Sequence, residues 1–151
     1  MNGKVFVDTN VLVYAYDPAD AGKQSRAREV LDRLASNDSG WLSAQVLAEF
    51  FTTVTRKIQP ALAPEEAMSS IQNYILSWNV VPITPGIVLE AAKGVLDHQL
   101  HFWDAQIWAA ARLNQITLVL SEDFANGMVL EGVRILDPFR PAFRPESLST
   151  I

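Results

Sequence analysis

The apolar run Val5-Phe6-Val7 stops on Asp8 and resumes at Val11-Leu12, and this interruption constrains the fold more than any other feature of the chain. Three consecutive apolar residues read as a short strand buried on both faces, as in a parallel sheet. An acid at the switch from that strand to the next element stands near the strand's carboxyl end, where open α/β folds place their ligands. Asp8 alone is a weak signal. Asp, Thr and Asn all favour helix N-caps, and Thr9 and Asn10 follow it. It gains weight because Glu49, Asp104 and Asp123 stand at comparable boundaries.

The rest of the chain alternates between the two periodicities. Residues 4–8 read as the first strand. Ala27, Val30, Leu31 and Leu34 repeat at the spacing of one buried helix face, which predicts a helix over 20–36. Ser36 to Gly40 is a turn cluster, and 41–43 a second strand. Val46, Leu47, Phe50, Phe51 and Val54 define a helix over 44–58, closed before Pro60. Pro64-Glu65-Glu66 opens another, running to about 76, with proline in the first turn and acids at the positive end of the helix dipole. A third strand spans 79–83, helices span 85–98 and 101–113, and two more strands span 116–121 and 132–136. The tail from Arg140 holds two further prolines and reads as irregular, over 139–151. Strands separated by helices imply right-handed βαβ crossovers, hence a three-layer α/β/α sandwich around a five-stranded, mainly parallel sheet. At 151 residues, one domain over 1–151 is expected.

Composition narrows the chemistry. With 49% hydrophobic and 19% charged residues the chain is globular rather than disordered. It has no cysteine, so it offers no disulfide, thiolate ligand or thiol nucleophile, which suits a reducing cytoplasm. The amino terminus lacks the apolar core of a secretory signal, and no run approaches the roughly 18 apolar residues of a membrane span, so a soluble, cytoplasmic protein is expected. The net charge of −5 argues against a nucleic-acid partner if read as a sum. A cluster of carboxylates around a cation would account for much of it, however, and Arg134, Arg140 and Arg144 make the carboxyl-terminal stretch locally basic.

Each acid has an ordinary explanation. Asp8 and Asp104 fit helix caps, Glu49 a solvated helix position and Asp123 a turn. Glu49 keeps unusual company, since Thr52, Thr53 and Arg56 share its helical stripe. Three of the four acids fall at one edge of the expected sheet, and the fourth can reach it from the polar side of its helix. Unpaired, such a group repels itself and its pKa values rise. Around Mg²⁺, which takes oxygen ligands and keeps several waters, it makes chemical sense; a bound metal can activate a water and screen charge on a phosphoryl oxygen, both of which phosphodiester hydrolysis needs. Zinc is disfavoured, because His98 and His101 have no thiolate companions.

The segments FVDTN with Asp8, AEFF with Glu49, WDAQIWAAA with Asp104 and LSEDF with Asp123 resemble, in that order, the PIN-domain nucleases. Within them the chain looks like a VapC-type toxin of a toxin–antitoxin pair, through residues 43–57, residues 121–127 and Asp137-Pro138-Phe139. The resemblance implies a Mg²⁺- or Mn²⁺-dependent endoribonuclease with RNA as substrate. It implies Asp8, Glu49, Asp104 and Asp123 as metal-binding, catalytic acids, with Asp8 and Asp104 the most direct ligands. Asn10 and Ser121 would support them. Glu122 adjoins Asp123, and the motif register selects Asp123. A cognate antitoxin and a homodimer are implied as well.

Arg56, on the Glu49 stripe, is the expected phosphate contact, with Lys57 on another part of the wheel and Arg140 and Arg144 as a basic rim. Phe50, Phe51, Trp103 and Trp108 have core-like spacing and are expected to pack inside rather than stack on bases. Competing readings are an aspartyl-phosphate phosphatase, a PIN-like module that binds RNA or protein without catalysis, and a PIN nuclease of RNA maturation or DNA flap cleavage. The first is weakened because Asp8-Thr9-Asn10 lacks a second acid two residues on.

Overall fold

The computed structural model describes residues 3–150, so residues 1, 2 and 151 of the expected domain lie outside the described residues. In chain order the elements are β1 (Val5–Val7), α1 (Thr9–Tyr14), α2 (Ala21–Ser36), β2 (Gly40–Ser43), α3 (Ala44–Arg56), α4 (Pro64–Ser77), β3 (Asn79–Val81), α5 (Pro85–His98), α6 (Phe102–Leu113), β4 (Leu118–Leu120), β5 (Val129–Leu130), β6 (Val133–Leu136) and a 3-10 helix (Pro145–Thr150). Local chemistry sets most boundaries. Asp20 caps α2 by accepting from the Lys23 N–H at 3.0 Å, Ser43 caps α3 from Val46, and Thr84 caps α5 from Ile87.

The strands lie in the order β3-β2-β1-β4-β6-β5. All adjacent pairs are parallel except β5 with β6. The five expected strands are the parallel ones. The sixth, β5, joins β6 through the two-residue turn Glu131-Gly132, both residues at positive φ (47° and 84°), as a tight hairpin demands. Gly132 is therefore turn rather than the start of a strand.

Winding runs from β1 outward to β3, then reverses to reach β4 on the other side of β1. Right-handed crossovers in opposite directions put helices on opposite faces. The helices accordingly contact one another in two groups, α1 to α4 and α5 with α6. The reversal opens a crevice between β1 and β4 at their carboxyl ends, the usual ligand position in such sheets. The core fills both layers, with β1 and β4 buried along their length between Leu12, Val46 and Phe50 and the Ile107, Trp108 and Ala111 face of α6.

The tail differs from the irregular segment expected. Its 3-10 helix packs on α2 with Leu148 buried, Asn37 Nδ2 donates to Leu148 O at 3.2 Å, and Arg33 Nη1 donates to Ser149 Oγ at 3.0 Å. Arg26 Nη1 reaches the carbonyls of Pro138, Arg140 and Phe143. One buried leucine and two arginines from α2 thus order a proline-rich stretch whose local sequence carries no periodicity.

Candidate active site

The parallel register of β1 with β4 pairs Val7 with Leu120, so Asp8 and Ser121 leave the sheet side by side. The Asp8 N–H donates to Leu120 O at 3.0 Å, and Ser121 Oγ donates to Asp8 Oδ2 at 2.7 Å. Ser121 Oγ also accepts from the Asp123 N–H at 3.1 Å, which curls the chain after β4 back over the crevice. Asp8 Oδ1 accepts from the Thr9 N–H at 2.7 Å as the cap of α1. Capping and site-building are therefore done by the same carboxylate, one oxygen each.

Asn10 joins the two strand ends. Its Nδ2 lies 3.4 Å from Asp8 Oδ2, 3.2 Å from Ser121 Oγ and 3.2 Å from Asp123 Oδ2, while its Oδ1 accepts from the Glu122 N–H at 3.3 Å. Glu49 arrives from α3, half-buried, and its Oε1 accepts from Thr9 Oγ1 at 2.7 Å. Asp104 sits in the first turn of α6, whose N-cap is His101, so it is not the cap that its position in the sequence allowed. Among the described residues none donates a hydrogen bond to its side chain.

Asp8, Glu49, Asp104 and Asp123 all line one cleft of about 500 Å³. Their electrostatics are those of a crowded acid group. Burial raises the Asp8 carboxyl from 3.8 to about 7; the Asp123 and Glu49 charges add to this, and the hydrogen bonds from Ser121 and Thr9 oppose it. Asp104 is raised by partial burial and by Asp123 and Glu49, with His101 opposing. The four acids therefore feel one another across the cleft, although among the described residues no three Asp, Glu or His side chains form a ready-made metal-ligating cluster.

Glu122 lines the same cleft, but its carboxylate is taken up by other partners. Its Oε1 accepts from Tyr14 Oη at 2.8 Å and its Oε2 from Lys23 Nζ at 2.8 Å. Lys23 in turn lies over the Tyr14 ring at 4.6 Å. The carboxylate hydrogen-bonded to Asn10 and coupled to Asp8 is Asp123.

Thr52 and Thr53 share the cleft wall with Glu49, as their stripe indicated. At the end of α3 the helical wheel stops applying. Lys57 is the C-cap, past the last helical residue, and lines the cleft, whereas Arg56 is exposed and is not among the lining residues. Of the four aromatics expected inside, Phe50 and Trp108 are buried and Phe51 is half-buried. Trp103 is 54% exposed and lines the cleft beside Asp104, contrary to the core position its spacing suggested. It stands at the start of α6, before the first residue that faces the sheet. His98 packs edge-on against Trp108 and contacts Glu131 Oε2 at 2.9 Å; it is not among the residues lining the cleft. Tyr14 and Lys23 carry no signal in the sequence as neighbours of the site; Thr9 has only its place between Asp8 and Asn10, and Lys57, set on another part of the wheel than Arg56, is the one of that pair that lines the cleft.

A doubly wound sheet with acids converging on its switch point defines a class of α/β proteins that act at the carboxyl edge of the sheet. The profile of the PIN domain matches residues 5–125, and the chain belongs to the PIN-domain family. Among solved structures it is similar to VapC20 of Mycobacterium tuberculosis, described as a sarcin–ricin loop cleaving toxin (22% identity, 87% of this chain and 99% of that one, TM-score 0.65). It is also similar to a chain of a toxin–antitoxin complex from Klebsiella pneumoniae (16%, 89% and 98%, TM-score 0.66) and to one of DNA-bound VapBC from Salmonella typhimurium (17%, 89% and 98%, TM-score 0.65). At these identities the likeness is one of fold. No curated protein matches the sequence significantly.

Proposed function

We propose that this protein is a divalent-metal-dependent endoribonuclease acting as the toxin of a toxin–antitoxin pair, a VapC-type PIN protein of the cytoplasm. The observation that carries the reading is the convergence of Asp8, Glu49, Asp104 and Asp123 on one cleft at the switch point of the sheet. The donor set suits a hard cation. Asp8 is a buried carboxyl whose charged form is disfavoured by its surroundings, and a dication would reverse that balance. Mg²⁺ needs only one or two carboxylates plus water, so the lack of a three-carboxylate cluster is compatible with it. Asp8 and Asp104 would hold Mg²⁺ or Mn²⁺ directly, with Glu49 and Asp123 completing the negative field.

When bound, the cation activates water and screens charge on the phosphoryl oxygens. The remaining work falls to the chain. Ser121 and the Thr9 amide hold the Asp8 carboxyl in one orientation. Asn10 fixes Asp123 relative to Asp8, and Thr9 fixes Glu49. Lys57 brings a positive charge to the cleft wall, where it would meet an RNA phosphate, and Arg56 on the neighbouring turn would extend that contact outward. Toxin–antitoxin complexes among the similar structures support an antitoxin partner. Exposed Ile75, Leu76, Leu89 and Leu96 on α4 and α5 support apolar contacts with an antitoxin or a second copy.

The test is cleavage of total cellular RNA by purified, antitoxin-free protein with Mg²⁺, Mn²⁺ or EDTA, beside Asp8→Asn and Asp104→Asn. Discrete fragments that require metal and vanish in both variants are expected. Intact RNA with metal-loaded protein would instead favour a module that binds without cutting.

A further inference from the structure

Next to the acidic cleft lies a second groove, of about 470 Å³, lined by Ala44, Gln45, Ala48, Glu49, Ile83, Trp103 and Gln106. It shares Gln45, Glu49 and Trp103 with the cleft, so a chain threaded past the acids passes over the Trp103 indole. We infer that this groove is a nucleobase subsite, in which a base flanking the scissile phosphate stacks on Trp103 and presents its polar edge to the Gln45–Gln106 amide pair. The inference rests on the nuclease reading above.

Three observations favour a base. Trp103 is 54% exposed and lines both spaces, on a helix that is otherwise closely packed against the core. The rest of the lining includes the apolar Ala44, Ala48 and Ile83, and Glu49 is the groove's sole charged residue, so it suits the flat part of a nucleotide rather than its phosphate. The amides are buried and held in place. Gln45 Nε2 donates to Trp103 O at 3.1 Å, and Gln106 Nε2 donates to Gln45 Oε1 at 2.8 Å. Among the described residues the Gln106 carbonyl oxygen has no donor of its own, which leaves an acceptor for an exocyclic or ring N–H. The Gln45–Trp103 bond also ties the amide pair to the backbone of the stacking residue, so slot and edge move together. Stacking on an exposed aromatic is sequence-tolerant, and the amide edge supplies preference.

The experiment uses the full chain with Asp8→Asn to prevent cutting. Binding of fluorescein-labelled octamers of A, of U and of abasic ribose phosphate is compared with and without Trp103→Ala. Loss of about tenfold affinity for the base-bearing octamers, none for the abasic one, and recovery with Trp103→Phe are expected. Equal effects on base-bearing and abasic octamers would overturn the inference, and so would a shift in molar mass by light scattering with Trp103→Ala, since the groove would then be covered by a second copy. Cleavage of total RNA by the Asp8 protein, run in parallel, separates the two readings. If cleavage is present while Trp103 is indifferent to bases, only the subsite fails; if both cleavage and octamer binding are absent, the nuclease reading fails and takes the subsite with it.

Discussion

Ser121 Oγ donates to Asp8 Oδ2 at 2.7 Å across two adjacent strands whose residues are 113 positions apart. That bond favours the charged form of a carboxyl that burial otherwise drives toward neutrality. Removing it in Ser121→Ala is expected to move the Asp8 pKa further up, as followed by carboxyl ¹³C NMR of metal-free protein. The metal-dependent cleavage rate near pH 7 should fall roughly tenfold, with the acidic limb of the pH profile displaced to higher pH. Ser121→Thr, which keeps the hydroxyl, should restore both.

Asp8 also makes the metal-free fold pH-dependent in an unusual sense. Its folded pKa, about 7, lies above the unfolded value of 3.8, so between these limits the folded state binds the extra proton. Stability is therefore highest below about pH 4 as far as this group is concerned, declines through the window, and levels off above about pH 7. In EDTA at pH 8, Asp8→Asn should be more stable than the parent by on the order of 2 kcal/mol, or about 4–8 °C in Tm. The gap should shrink by pH 5. A parent that gains no stability in calorimetry between pH 8 and pH 5 would contradict the buried, self-repelling site.

The neighbours Glu122 and Asp123 should separate cleanly. Asp123→Asn is expected to lower kcat/KM for RNA about 100-fold or more, because its carboxylate belongs to the cleft's acid group. Glu122→Gln keeps the acceptor for Tyr14 and loses the charge facing Lys23. That pair is partly solvated, so the change should cost under about 1 kcal/mol of stability and leave kcat within a few-fold. Equal losses from the two variants would reassign the fourth acid.

Leu148 tests the tail. Its side chain is buried against α2 and is the main apolar anchor of the 3-10 helix. Leu148→Ala should destabilise the fold by about 2–4 kcal/mol in urea titration, as other buried leucine truncations do. A tail without structure would show no change.

Asp8, Asp104 and Asp123 stood out as candidates because each lies where a buried strand ends or an amphipathic helix begins, and Glu49 because it sits on a polar stripe inside its helix; all four line the one cleft. The five parallel strands and the helices between them were legible for the same reason, and right-handed crossovers then constrained their stacking. β5 was not, since two residues carry no periodicity and its hairpin rests on backbone angles at Glu131-Gly132. Lys57 and Trp103 show a related failure. Both stand at a helix terminus, where a wheel calculated from the helix interior no longer gives the direction of a side chain.

What the sequence determined by itself is the alternation of strands and helices and the presence of acids at their boundaries, because both follow from nearest-neighbour chemistry. Only the tertiary structure decided that Val7 registers with Leu120, that Glu122 turns to Lys23 while Asp123 turns to Asn10, and that Trp103 faces solvent beside Asp104. Those outcomes depend on strand register and on contacts between residues about 100 positions apart, which no local pattern encodes.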